Sequence, residues 1–317
     1  MNRGLICMHG RFRCGKATKR SRYGSLSKDR VRRTIWSAEL CTRAGLSYHL
    51  IDSEWKMFYM MPYEAQELIA CSKCLKTIIA FSTRHRNSLR LLDQTMSGLD
   101  TRNVALNLIV GNPAYLSSGE IRRPYFRTLV DTVKFVRSRF EDLTMFVGIE
   151  GLGAAAVELC VEYDLLPFLL LDKGLEDMVA MVKDITGREN AAVYAPFLVS
   201  KNYPRLLRDI LYRLSGYIMR RRWVREGLKK LGYDPTVATL RAVIQEKRHL
   251  PSSFMESNLG IFLEDAASYL TMYGDVDSVT GKISDLRRLG IMTLIGFPIK
   301  ENAEQILLLG KCASKIA

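Results

Sequence analysis

Residues 145–199 read MFVGIEGLGAAAVELCVEYDLLPFLLLDKGLEDMVAMVKDITGRENAAVYAPFLV, and the period of this stretch decides the fold. Three apolar runs, Met145–Ile149, Leu166–Leu171 and Ala192–Val199, are short, rich in strand-forming residues and bounded by polar or Gly-containing turns. The intervals between them carry helical patterns, one opened by a Gly-rich turn and running through Tyr163, the next shorter. Strand, helix, strand, helix is the order of a parallel sheet with crossover helices. Leu166–Leu171 is apolar throughout, as a strand covered on both faces must be.

The same alternation continues in both directions. Upstream, strands are expected at Leu5–His9, Tyr48–Asp52, Thr77–Phe81 and Val104–Val110, the last stopped by Gly111, Asn112 and Pro113. Helices fall at Ser27–Ala44 (Val31, Ile35 and Ala38 on one face), after Pro62, at Ser88–Met96 and at Pro124–Phe140. Downstream, from Pro204 to Tyr273 the pattern is helical only, broken at Gly232–Pro235 and Pro251–Ser253. An eighth strand, Ile291–Phe297, and a last helix, Ala303–Ser314, follow. Eight strand and helix units predict an α/β protein with a closed (β/α)8 TIM barrel, an open eight-stranded sheet being the rival. Residues 1–317 are expected to form a single barrel domain, with residues 204–273 a helical excursion inserted before the last unit.

Composition bounds the partners. Forty-seven Lys and Arg against 33 Asp and Glu give a formal charge of +14, which suits a phosphorylated cofactor, an acidic substrate or nucleic acid. A hydrophobic fraction of 48% argues against long disorder. No apolar run approaches the about 18–20 residues of a membrane span, and Leu5–Met8 is too short for a secretory signal, so a cytoplasmic protein is expected. Seven cysteines without a dense framework predict free thiols. Cys71 and Cys74 form a CxxC inside an apolar helical pattern with no second pair at zinc spacing, so no metal is assigned.

Barrel physics puts the site at the C-terminal strand ends. His9, Glu54 and Glu150 stand there as candidate catalytic groups, able to move protons or polarise a substrate. Arg11, Arg13, Arg84 and His85 are candidate substrate-binding residues, His85 being held neutral by its cationic neighbours. The cation-rich segment Arg11–Arg33 suits phosphate or carboxylate groups and, less specifically, RNA. Gly151, Leu152, Gly153, Ala154 and Ala155 would open a helix directly after a strand, offering bare N–H groups and a positive dipole end to a cofactor phosphate. Arg220, Arg221, Arg222, Trp223 and Arg225 read as a helix covering apolar surface with its charged heads outward.

Three stretches resemble the luciferase-like family of flavin monooxygenases and deazaflavin-dependent reductases and dehydrogenases: Leu92–Gly111 (LDQTMSGLDTRNVALNLIVG), Gly151–Tyr163 (GLGAAAVELCVEY), and Gly227–Tyr233 with Pro235 and Gly274–Lys315. The resemblance implies a cofactor across the barrel mouth. On it, Ala80, Phe81 and Ser82 would form a bulge, often with a non-proline cis peptide, behind the isoalloxazine ring. Asn107, Gly151, Leu152, Gly153 and Ala154 complete the implied cofactor set. Leu152 stands where the family usually has Ser, Ala154 where it has Pro, and no His follows Asp52. The function implied is a flavin- or deazaflavin-dependent oxidoreductase moving hydride to or from a small anionic or pterin-like substrate. The cationic excess favours the deazaflavin coenzyme, with its acidic tail, over FMN. The alternatives are a monooxygenase using reduced FMN, and a non-catalytic binding protein on the same barrel, nucleic acid included. A homo-oligomer without membrane contact is expected.

Overall fold

The structure is a computed structural model and describes residues 5–8, 35–52, 76–84, 87–97, 99–110, 124–201, 203–246, 256–300 and 303–316. Its strands are β1 (Leu5–Met8), β2 (Tyr48–Asp52), β3 (Lys76–Ser82), β4 (Val104–Ile109), β5 (Thr144–Gly148), β6 (Leu166–Leu170), β7 (Ala191–Val199), β8 (Met272–Gly274) and β9 (Ile291–Pro298). Each of β1 to β6 pairs in parallel with the next, β6 pairs with β7, β7 with β9, and β9 returns to β1. That ring of eight is the closed barrel the alternating pattern predicts; an open sheet is excluded by the β6–β7 and β1–β9 ladders.

Helices cover the ring: α1 (residues 35–43), α2 (Ser88–Met96), α3 (Tyr125–Arg139), α4 (Ala154–Glu162), α5 (Leu175–Thr186), α11 (Val276–Arg288) and α12 (Ala303–Ser314). Leu106 and Leu108, alternate residues of β4, point outward and join Val133 and Val136 of α3 in one apolar layer. The intervening residues fill the barrel: Leu50, Ile78, Ala105, Phe146, Phe168 and Ile295 form a separate buried cluster. Each such large side chain contributes roughly 1.5–3 kcal/mol by leaving water. At the N-terminal end Lys76 Nζ donates to Thr144 Oγ1 at 2.9 Å, and burial lowers the lysine's pKa.

Between β7 and β8 lie α6 (Tyr203–Arg213), α7 (Ser215–Ile218), α8 (Arg222–Lys230), α9 (Val237–Glu246) and α10 (Asn258–Leu270). Their apolar stripes meet in a cluster of their own around Ile210, Val224, Ile244 and Leu263. Helices α8 and α10 touch where Gly227 leaves room for the Phe262 ring; a Cβ there would stand 2.3 Å from it. This helical stretch ends in a strand that the sequence pattern did not predict: Met272–Gly274 pairs with Phe197–Val199. Three residues are too few to show a strand period, and tertiary pairing alone makes this one.

The barrel is fastened where its ends meet. Beyond the β7–β9 ladder, Gln305 of α12 takes both backbone groups of Val199, accepting from its N–H at 2.8 Å and donating to its carbonyl at 2.9 Å. Farther along α12, Gly310 lies so near α1 that a Cβ would fall 2.2 Å from the Ala44 carbonyl oxygen.

Candidate active site

The interior residues change character toward the C-terminal strand ends. Asn107 pairs laterally with Ala80 and Phe146, both interior, so its side chain enters the barrel too. It is 2% exposed, and among the described residues its Oδ1 has no hydrogen-bond partner. An unsatisfied buried acceptor costs about 1–3 kcal/mol, which a donor from a bound molecule would recover. Ala80 lies beside it on β3 and Phe146 on β5, and one step higher on β5 is Gly148, where a Cβ would stand 3.2 Å from Ile109 Cγ2. Above this floor the interior is partly open at Ile109, Gly148, Leu170, Tyr194 and Phe297.

The opposite wall is aromatic. Tyr194 packs against Phe297 with ring centroids 5.8 Å apart, and against Tyr217 of α7 at 6.3 Å. Helix α7 therefore folds back over the mouth, and the Tyr217 hydroxyl reaches the Leu171 carbonyl at 3.5 Å. Burial pushes the Tyr217 phenol up to about 12. Next to it the Arg221 guanidinium lies 4.6 Å from the Tyr217 ring centre and pairs with Glu150 after β5 and Asp172 after β6, the latter at 3.3 Å. Burial opposes the charge of Arg221, but Tyr217, Glu150 and Asp172 outweigh it and raise its pKa. Asp172 also accepts from Trp223 Nε1 at 2.9 Å and from the Lys173 N–H at 2.7 Å.

The residues singled out from the sequence are distributed as follows. Glu150 is at the mouth, but its carboxylate is engaged by Arg221. Arg221 itself is 6% exposed, so this member of the arginine run turns inward, contrary to the outward-facing reading. It caps α8 in extended conformation, and two acids at strand ends make its burial affordable. The Gly151–Ala154 turn opens α4 as expected, with Gly151 at φ 72° and Gly153 at φ 63°, ψ −150°, the latter a region essentially restricted to glycine. Leu152 is withdrawn from the implied phosphate set by the fold: its N–H donates to the Ile149 carbonyl at 3.0 Å and its side chain packs on the outer apolar layer. Ala80 and Ser82 face the interior side, Ser82 Oγ donating to the Val110 carbonyl at 3.3 Å, whereas Phe81 faces the helices. The β3–β4 ladder keeps register through Ser82 and Ile109, so the bulge implied for Ala80–Ser82 is not there: continuous pairing leaves no extra residue to bulge. Arg84 is buried with its guanidinium 4.0 Å from the Tyr125 ring centre, a stacked position rather than an open one. His9, Arg11, Arg13, Glu54, His85, Asn112, Cys71 and Cys74 lie outside the described residues. Sequence reading missed Tyr194, Tyr217 and Phe297. A tyrosine in the apolar run AAVYAPFLV was a usable signal for the first; nothing in the excursion marks α7 as the segment that returns to the mouth.

Comparison with known proteins sets this geometry in a family. Residues 91–306, more than half of the chain, match the family of unknown function DUF7388. The chain belongs to this family. No curated protein matches this DUF7388 chain. Among solved structures, the coenzyme F420-dependent tetrahydromethanopterin reductase of Methanopyrus kandleri is similar over 89% of this chain and 94% of its own, with 13% identity and a TM-score of 0.63. An F420-dependent secondary alcohol dehydrogenase in complex with an F420-acetone adduct is similar over 100% of both chains, with 10% identity and a TM-score of 0.66. The oxygenating constituent of 3,6-diketocamphane monooxygenase from Pseudomonas putida, in complex with FMN, covers 97% of this chain and 96% of its own at 15% identity and a TM-score of 0.58. At these identities the likeness is one of fold, and it spans the barrel and the excursion together. No helix among the described residues is long and apolar enough to cross a membrane.

Proposed function

We propose that this DUF7388 protein is a divergent luciferase-like oxidoreductase whose barrel mouth binds coenzyme F420 or FMN and exchanges hydride with a small organic substrate. The observation that carries the reading is the mouth's asymmetry: a buried acceptor without a partner beside Ala80 on the β3–β5 side, a wall of aromatics on the β6–β9 side. A flat heterocycle would lie over Ala80, and Asn107 Oδ1 would accept from a ring N–H. The N-terminus of α4 supplies a second contact: among the described residues, the N–H groups of Ala154 and Ala155 have no acceptor, and no Cβ of Gly153 stands in the way of a phosphate. The fold neighbours that carry F420 or FMN support the same cofactor class. The bound flavin or deazaflavin would supply the hydride chemistry; the chain supplies orientation, a phosphate cradle and a water-poor wall.

The test is a titration of the full chain with F420 and, separately, FMN, followed by absorbance and thermal shift. Saturable binding of one, weakened about tenfold in Asn107→Leu by loss of one buried hydrogen bond of about 1.4 kcal/mol, is the expected result. Binding of neither cofactor refutes the proposal. Preference for FMN, with product formed only in oxygen, would select the monooxygenase reading that the Pseudomonas neighbour supports.

A further inference from the structure

Three cations beside the aromatic side of the described mouth are already engaged. Arg221 is held by Glu150 and Asp172, Lys300 after β9 by Asp209 at 2.5 Å, and Lys173 after β6 lies 5.6 Å and 5.3 Å from the ring centres of Trp223 and Tyr269. Facing the cup, in contrast, are Leu170, Tyr194, Phe297 and Tyr217, each partly exposed. A carboxylate or phosphate placed there would shed water without gaining a counter-charge from these groups, whereas an apolar ring would gain both burial and ring contacts.

We infer that the substrate lodged against the Tyr194–Phe297–Tyr217 wall is a neutral, ring-sized organic compound, an aromatic or alicyclic carbonyl or alcohol, and not the small anion that the net charge suggests. The inference rests on the redox reading of the same mouth and narrows its substrate class. The rings of Tyr194, Phe297 and Tyr217 hold the substrate's carbon skeleton. Helix α7 sets the size limit, because Tyr217 closes the wall from above.

The experiment uses the full chain without added cofactor and matched probes: acetophenone against benzoate, and 2-naphthaldehyde against 2-naphthoate. Binding is read by saturation-transfer NMR with titration of each probe. The expected result is at least a tenfold preference for the neutral member of each pair, a five- to tenfold loss of that binding in Tyr217→Ala, and its retention in Tyr217→Phe, which keeps the ring and controls for folding. Equal affinity, preference for the carboxylates, or no saturable binding by any probe overturns the inference. Titrations with F420 and FMN in parallel keep the two readings separable. Cofactor binding without neutral-ring preference removes the substrate class alone; neutral-ring preference without cofactor binding removes the redox reading and leaves the wall as a ligand site.

Discussion

Replacing Arg221 by Met removes a charge that the fold has taken out of water, and the size of the loss follows from what its partners retain. The Arg221 side chain is 6% exposed, that of Asp172 25% and that of Glu150 56%. Breaking a fully buried pair costs about 3–5 kcal/mol because an uncompensated charge stays behind. Neither acid is stranded in that way here. Asp172 keeps the Trp223 Nε1 and Lys173 N–H donors, and Glu150 reaches solvent. Methionine preserves much of the packing but forfeits the contact of the guanidinium with the Tyr217 ring, worth on the order of 1 kcal/mol. The net expectation is a loss of about 2 kcal/mol. With an unfolding entropy near 2.1 cal/mol/K per residue over 317 residues, that lowers the thermal midpoint by about 3 °C.

Urea unfolding and calorimetry of the variant measure this, and double-mutant cycles locate it. Coupling of Arg221→Met to Asp172→Asn is expected at about 1–2 kcal/mol, and to Glu150→Gln below about 1 kcal/mol, since the more exposed acid exchanges its ion pair for hydration at little cost. Arg221→Lys should recover only part of the loss, because an ammonium cannot reach both acids in the planar manner of a guanidinium. A variant within 0.5 kcal/mol of the parent, or a larger coupling to Glu150 than to Asp172, would refute the reasoning.

Three further outcomes follow from single contacts. Gln305→Ala strips Val199 of partners for both its buried N–H and its carbonyl, so unfolding in urea should show a loss of about 2–4 kcal/mol; Gln305→Glu, which sets a carboxylate against that carbonyl, should not rescue it. Gly310→Ala drives a methyl into the Ala44 carbonyl and should cost about 1–3 kcal/mol by overpacking, an unchanged melting point being the contrary result. Burial pushes the Cys160 thiol up from 9.0 to about 12, so the folded state holds a proton that the unfolded chain releases. Stability is therefore fully present below about pH 9 and declines as pH rises toward 12, and Cys160→Ala should flatten that alkaline decline; a parallel fall in both proteins would count against the assignment.

The barrel was legible because its signal is repeated: eight apolar runs, each followed by a helical or turn pattern, leave few topologies open. Strand ends were legible for the same reason, and with them Asn107, Glu150 and the Gly151–Gly153 turn, whose backbone demands glycine. What the pattern could not reveal is the partner of each side chain. Glu150 reads as a free mouth acid until Arg221, 71 positions later, is brought against it. Arg84 reads as an open cation until Tyr125 stacks upon it. The short strand Met272–Gly274 has no local signature at all, because its pairing with Phe197–Val199 is what defines it.

These failures share one cause, and it bears on function. Helix α7 and the turn before α8 bring Tyr217 and Arg221 to strand ends laid down long before them in the chain, so the described mouth is finished by a segment outside the β/α repeat. A net charge of +14 therefore does not by itself describe this mouth, since cations that approach it are drawn into internal pairs. The barrel strands fix where a cofactor ring would lie, and they are constrained by packing on both faces. The α7–α8 turn is held by Arg221 and its two acids, by Arg225 Nη1 donating to the Met219 and Arg220 carbonyls and by buried Ile218 and Met219, all outside the barrel core, so substitutions at Tyr217 would alter which molecule fits above the ring while that core stayed intact. On the proposed reading reaction class and substrate choice would reside in different parts of the chain, and Tyr217→Ala should change the ligand preference without abolishing cofactor binding.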